Sequence, residues 1–170
     1  MSVDKKLHES TKYAEPNLRK KIDEQIDRIG SFVIDCNEDN WDSYGAKKLE
    51  LDTIKFSAKV MESIGEWFIK NIGFLNNRSL EFFACPTNKG GVSIEMDYNN
   101  NFIIECDVKL DKSISCFARP NYRLELDGTK TLADRNFDMI FSKNTLEKNC
   151  DINNLHTFLD FVFYEHKWQW

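Results

Sequence analysis

Proline and glycine are scarce in this chain of 170 residues: three Pro and seven Gly, too few for a collagen-like, linker-rich or low-complexity architecture. Histidine is scarcer still, and His8, His156 and His166 form no metal-ligand spacing with each other or with the cysteines. The five cysteines (Cys36, Cys85, Cys106, Cys116, Cys150) are odd in number, scattered, and include no C-x-x-C pair. That argues against a disulfide framework and for a reducing, cytoplasmic setting. No apolar run reaches membrane-spanning length and the first ten residues lack an apolar signal core, so a soluble chain is expected. A nucleophile elbow, a Walker loop and a dinucleotide fingerprint are all missing. Basic excess is missing too: 23 Lys and Arg against 28 Asp and Glu leave a net charge of −5, which removes whole-molecule attraction to nucleic-acid phosphates.

What is present is apolar patterning. Hydrophobic residues make up 41% of the chain and include 13 Phe, enough for one folded domain with a core of its own. The expected fold class is α+β: a single domain over 1–170 with an antiparallel sheet of about four to six strands packed on two or three helices, and residues 1–15 as a loose arm or helical lead-in. Gly90–Val108 organises it. Val92, Ile94 and Met96 alternate with Ser93, Glu95 and Asp97; after three Asn, Phe102, Ile104, Cys106 and Val108 alternate with Ile103, Glu105 and Asp107. Period-2 alternation marks a hairpin with one buried face, and a one-residue slip would bury the carboxylates.

Flanking elements follow from similar signals. Leu18, Ile22, Ile26, Ile29 and Val33 predict a helix starting at Pro16-Asn17, with Arg19, Lys20, Lys21 and Arg28 on a solvated side. Asp52-Thr53 is the expected cap of a second helix from Ile54 to about Asn71, carrying Ile54, Ala58, Met61, Ile64, Phe68 and Ile72, with Phe56, Val60 and Trp67 widening the stripe and Gly73 as its stop. Ser79–Cys85, Ile114–Ala118 and Tyr122–Asp127 read as further strands, Phe137–Phe141 as a short strand or a buried segment, Arg119-Pro120-Asn121 as a turn or bulge, and Asp151 as the cap of a final helix. On that helix His156 and Asp160 are spaced as a surface pair.

Two features carry function. Glu95, Asp97, Glu105 and Asp107 share the outer face of the hairpin; they are either a solvated face or a surface that meets something positive, a basic protein or a divalent cation. The tail ends in Trp168 and Trp170, residues favoured as interface anchors. Trp41 and Tyr44 belong to an aromatic loop that either packs on the domain or forms a ligand platform. Together these point to a non-enzymatic protein-binding chain that occupies a basic site on a partner, such as a nucleic-acid-handling enzyme, with no cofactor, no catalytic residues, and neither nucleic acid nor membrane as a direct partner. One alternative is a Mg²⁺-dependent nuclease using Asp97, Asp107 and Lys109, after the D…[D/E]-x-K arrangement in which carboxylates hold the metal and Lys assists a water. Another is a structural homodimer built through the final helix.

Trp41-Asp42-Ser43-Tyr44-Gly45-Ala46, a helix opening at Thr53, then Pro86 and Gly90-Gly91-Val92-Ser93-Ile94-Glu95 resemble a group of small, mostly uncharacterised bacterial proteins. That group carries W-D-G-Y-x-A, a helix, and G-G-[IV]-x-[LI]-E-W. The resemblance covers about residues 41–108; Ser43 replaces the usual Gly and Met96 the usual Trp. It implies a small accessory protein of bacterial or phage origin, of the antitoxin, immunity or inhibitor type, often found in mobile or defence-linked neighbourhoods. It supplies no catalytic residues.

Overall fold

The hairpin closes with the expected apolar face buried, and its register sets Val92 opposite Val108 and Tyr98 opposite Phe102. The computed structural model describes residues 3–71, 79–98, 102–120 and 146–165, with side chains of 3–14, 102, 120, 146 and 165 left aside. The strands expected at Tyr122–Asp127 and Phe137–Phe141, the Asn turn, Gly73, His166 and the tail with Trp168 and Trp170 lie outside the described residues.

Five strands form an antiparallel meander in chain order: β1 (Leu80–Pro86), β2 (Val92–Tyr98), β3 (Phe102–Val108), β4 (Ile114–Pro120) and β5 (Leu146–Cys150). Helices α1 (Val3–Asp35), α2 (Leu51–Lys70) and α3 (Leu155–Asp160), the last continued by a π-helical turn at Phe161–Glu165, complete a single-domain α+β fold. Leu80, Phe82 and Ala84 of β1, Ile94 and Met96 of β2, Ile104 and Cys106 of β3 and Ile114 and Cys116 of β4 are all buried on one face of the sheet. Because neighbouring strands lie about 4.8 Å apart with alternate residues pointing one way, these side chains make one continuous apolar floor. Ile22, Ile29, Met61, Ile64, Phe68 and Phe158 from the helices belong to the same core. Phe163 seals one end, its ring 5.0 Å from Trp67, 5.5 Å from Phe68 and 5.3 Å from Tyr98.

Several expectations are corrected. Pro16 sits inside α1 and does not open it; proline's fixed φ suits a helix, at the cost of one i→i−4 bond. The buried stripe of α1 is Leu18, Ile22, Ile29 and Phe32, continued by Cys36 just past its end, whereas Val33 is 42% exposed. A straight helix at 3.6 residues per turn drifts off a strict step of four, so position 32 replaces 33. The basic residues of α1 are not simply solvated. Arg19 pairs with Glu62 of α2 at 2.8 Å, and Lys21 and Arg28 hold the free edge of β1. Lys21 Nζ donates to Leu80 O (3.0 Å), Arg28 Nε donates to Ala84 O (2.6 Å), and Ala84 N donates to Gln25 Oε1 (2.9 Å). An edge strand's unpaired backbone invites pairing with other chains, and here helix side chains occupy it.

The second helix starts one turn earlier than Asp52-Thr53 indicates. Thr53 N and Ile54 N donate to Glu50 O, Glu50 takes the N-cap position without a side-chain bond, and Thr53 is buried. Strand β4 runs through Pro120 rather than turning there. Asp151 does not cap α3 directly; its Oδ1 accepts from Asn153 N and Asn154 N, forming the turn before the helix. His156 and Asp160 do not pair with each other. His156 Nε2 lies 2.8 Å from Ser63 O, and Trp67 Nε1 donates to Asp160 Oδ1 at 2.8 Å, so both residues fasten α3 to α2. That attachment buries Leu155, Phe158, Leu159 and Val162 within the protein.

All five cysteines are free. Cys106 and Cys116 face each other across β3 and β4 with sulfurs 3.5 Å apart, and their mutual contact and burial push the Cys116 thiol far up; burial raises Cys150 to about 12. Because the thiolate is the reactive form, Ellman's reagent is expected to modify Cys85 first, and Cys36, Cys106, Cys116 and Cys150 only as the protein unfolds. Mass mapping of the adducts in native buffer and in urea checks this; rapid native labelling of Cys116 would contradict it.

Candidate partner-binding face

The other face of the sheet is read row by row from the strand pairing. One row runs Glu81, Asp97, Ile103, Arg119; the next Phe83, Glu95, Glu105, Phe117, Glu147; the third Cys85, Ser93, Asp107, Ser115, Asn149. Glu95 and Glu105 are directly opposed like charges, and so are Glu81 and Asp97, where Lys21 pairs with Glu81 at 2.6 Å. Asp97 faces Ile103 and Asp107 faces Ser93, so the four carboxylates form a zigzag along the hairpin. Phe83, half-exposed, and Phe117, partly buried, flank the opposed glutamates. Two carboxylates directly across a ladder repel, a cost of roughly 0.2–1 kcal/mol.

Internal compensation of Glu95, Glu105 and Asp107 is slight. Ser93 Oγ donates to Glu105 Oε1 at 3.2 Å. Arg19–Glu62, Lys20–Glu24, Lys21–Glu81 and Lys48–Glu50 are ion pairs among the described residues, and none of these involves Glu95, Glu105 or Asp107. Asp107 Oδ1 is covered by protein and has no hydrogen-bond partner. The field of these groups reaches Cys85: burial raises its thiol most, followed by Glu105, Asp107 and Glu95, with Arg28 acting the other way. Arg28 itself lies over the Phe83 ring, 4.8 Å from its centroid, so a guanidinium already rests on this face's aromatic rim.

The arrangement required by the nuclease alternative is not assembled. Asp97 faces residue 103 and Asp107 lies four residues further along β3, which separates the two carboxylates by about 13 Å at 3.3 Å per residue. Lys109 lies beyond the end of the strand. Among the described residues no three His, Cys, Asp or Glu side chains are grouped so as to hold a metal ion.

The aromatic loop divides. Trp41 Nε1 donates to Lys47 O at 2.9 Å and its ring packs against the core, whereas Tyr44 is 94% exposed and is no packing residue. Asp42 Oδ1 accepts from Tyr44 N and Ala46 N, which holds its carboxyl below the usual range and bends the chain outward at Tyr44. Ser43 adopts φ +63°, the left-handed region, at the position where the resembled pattern has Gly; that costs a residue with a Cβ roughly 1 kcal/mol. Gly90 and Gly91 also have structural roles, Gly90 at φ +80° and Gly91 pressed against the Val108 carbonyl. Among the described helices none is long and apolar enough to cross a membrane. Family models, curated proteins and solved structures yield no match to this chain.

Proposed function

We propose that this is a non-catalytic binding protein of the inhibitor, immunity or antitoxin type, whose outer sheet face occupies a basic site on a partner macromolecule. The observation that carries the reading is the Glu95–Glu105 pair: like charges held opposite each other between two phenylalanines, without an internal cation to neutralise them. A fold gains nothing from that juxtaposition, but a partner presenting Lys or Arg does, because complementary potential speeds encounter and excludes wrong partners. Nucleic-acid-handling enzymes present such grooves, and an acidic face of this kind competes with phosphates for them. The sequence resemblance to small accessory proteins supports the same class.

One substitution separates a functional face from a merely solvated one. Glu95→Lys places opposite charges across the ladder and is expected to stabilise the fold by about 0.5 kcal/mol. The same change is expected to weaken partner binding on the order of 100-fold, about 2.8 kcal/mol. Wild-type protein immobilised as bait in extract of its native host should retain a partner that elutes with salt, and Glu95→Lys should lose it while its urea midpoint rises. Equal retention by both forms would sink the proposal.

A further inference from the structure

We propose that a cleft at the turn end of the sheet binds a small zwitterion, an amino-acid-sized molecule carrying both an ammonium and a carboxylate group. The cleft has a volume of about 470 Å³ and lies between the β1–β2 connection and the β3–β4 turn. That volume falls within the roughly 300–1,000 Å³ typical of small-molecule sites and far exceeds what a lone ion fills.

Both walls are built before any ligand arrives. Gly90 N donates to Thr87 O and Gly91 N to Thr87 Oγ1, while Lys47 N donates to Asn88 O and ties the first wall to the loop before α2. In the second wall Lys112 N donates to Lys109 O, and Asp111 Oδ1 accepts from both Ser113 N and Ser113 Oγ. Gly91 leaves bare backbone at the base, since a Cβ there would meet the Val108 carbonyl. A preformed site loses little entropy on binding, which favours small ligands.

The charges set the ligand class. Asp111 turns Oδ1 to Ser113, whose hydrogen bonds hold its carboxyl below the usual range with Lys109 adding to the effect, so it lines the cleft as a second carboxylate. Lys89 and Lys109 line the cleft, and neither forms an ion pair among the described residues. Asp107 also lines it, and with Oδ1 covered and unpartnered its carboxylate is poorly solvated. A cation brought to its cleft side therefore gains more than it would in open water. A simple anion would meet the repulsion of Asp107, and a simple cation that of two lysines. A molecule with both charges satisfies Asp107 and the two lysines, with the exposed Leu110 giving apolar contact to its side chain. Asp107 near the end of β3 and Lys109 just past it, two residues on, place the poles at most about 7 Å apart at their backbones, a span a flexible lysine closes. This site does not depend on the partner-binding reading, since Lys89, Lys109 and Leu110 take no part in the Glu95–Glu105 pair.

Saturation-transfer NMR of the full chain with the proteinogenic L-amino acids, followed by calorimetry of those that respond, tests it. Saturable one-site binding is expected for at least one amino acid at or below about 10 mM, weakened tenfold or more by Asp107→Asn and by the Lys89→Met/Lys109→Met pair. Glu95→Lys should leave it unchanged. N-acetylated amino acids, which keep only the carboxylate, should bind tenfold more weakly or not at all. Absence of saturation for every amino acid, equal binding of the N-acetyl form, or binding that survives both sets of substitutions would overturn the proposal. Circular dichroism of each variant guards against unfolding as the cause.

Discussion

Gly91→Ala is expected to lower stability by about 3 kcal/mol, a shift in melting temperature of roughly 6–12 °C for a chain of this size. The cause is steric and not conformational, since among the described glycines positive φ is confined to Gly45 and Gly90. A Cβ on Gly91 would lie 2.3 Å from the Val108 carbonyl oxygen and 3.2 Å from Thr87 Oγ1. Carbonyl oxygen is backbone and cannot rotate away, so β2 must draw back from β3 at this end. That movement strains the Thr87 N to Gly91 O and Gly91 N to Thr87 Oγ1 hydrogen bonds. Gly30→Ala is the matched control: no atom lies within 4 Å of its added methyl, it sits in α1, and helix propensity should raise stability by about 0.8–1 kcal/mol. Urea denaturation of both variants checks the pair of signs. A Gly91→Ala protein as stable as wild type would mean that the hairpin is looser at its base than the structure shows.

The second large effect is expected where α1 crosses α2. Ile22 is fully buried, and its branches lie 2.7–2.9 Å from where a Cβ on Gly65 would be, so the glycine is what lets isoleucine fill the space between the helices. Ile22→Ala is expected to cost about 2–5 kcal/mol through lost burial and the cavity left behind. Gly65→Ala alone gains helix propensity but presses on Ile22, for a net loss of about 1 kcal/mol. In the double variant the new methyl occupies part of the vacated space, so it should be more stable than the sum of the single changes by about 1–2 kcal/mol. A double-mutant cycle in urea measures this coupling, and strict additivity would show that the helices do not meet at these two residues.

How much of this was legible in the chain depends on the range of the signal. The hairpin was, with the buried side of each strand, because alternation between Val92 and Val108 excludes any one-residue slip that would expose the apolar set. Strand β5 was not: Leu-Glu-Lys-Asn-Cys has no alternation to read, and it forms because β4 offers a free edge beside it. The roles of Gln25 and Arg28 at the edge of β1, of Asp160 beneath Trp67 and of His156 on Ser63 were equally hidden. Each of those bonds joins residues at least 56 positions apart, and composition at one end says nothing about the acceptor at the other. Of the acidic face, membership was readable from parity, but the direct opposition of Glu95 and Glu105 and the separation of Asp97 from Asp107 needed the ladder. The cleft between the two turns was not foreseen, because Lys89 and Asp107 come to line one cleft only when the hairpin closes.

By itself the chain determined the α+β class, the buried sides of its strands and the sign of the charge on the outer one, since these follow from local periodicity and from side-chain solvation. Tertiary structure alone decided which carboxylates stand together, which basic residues are spent on backbone acceptors rather than left facing water, and that a glycine serves as the seat for an isoleucine of another helix. Such choices depend on distances between elements, and in a folded chain those distances are set by packing rather than by neighbouring letters.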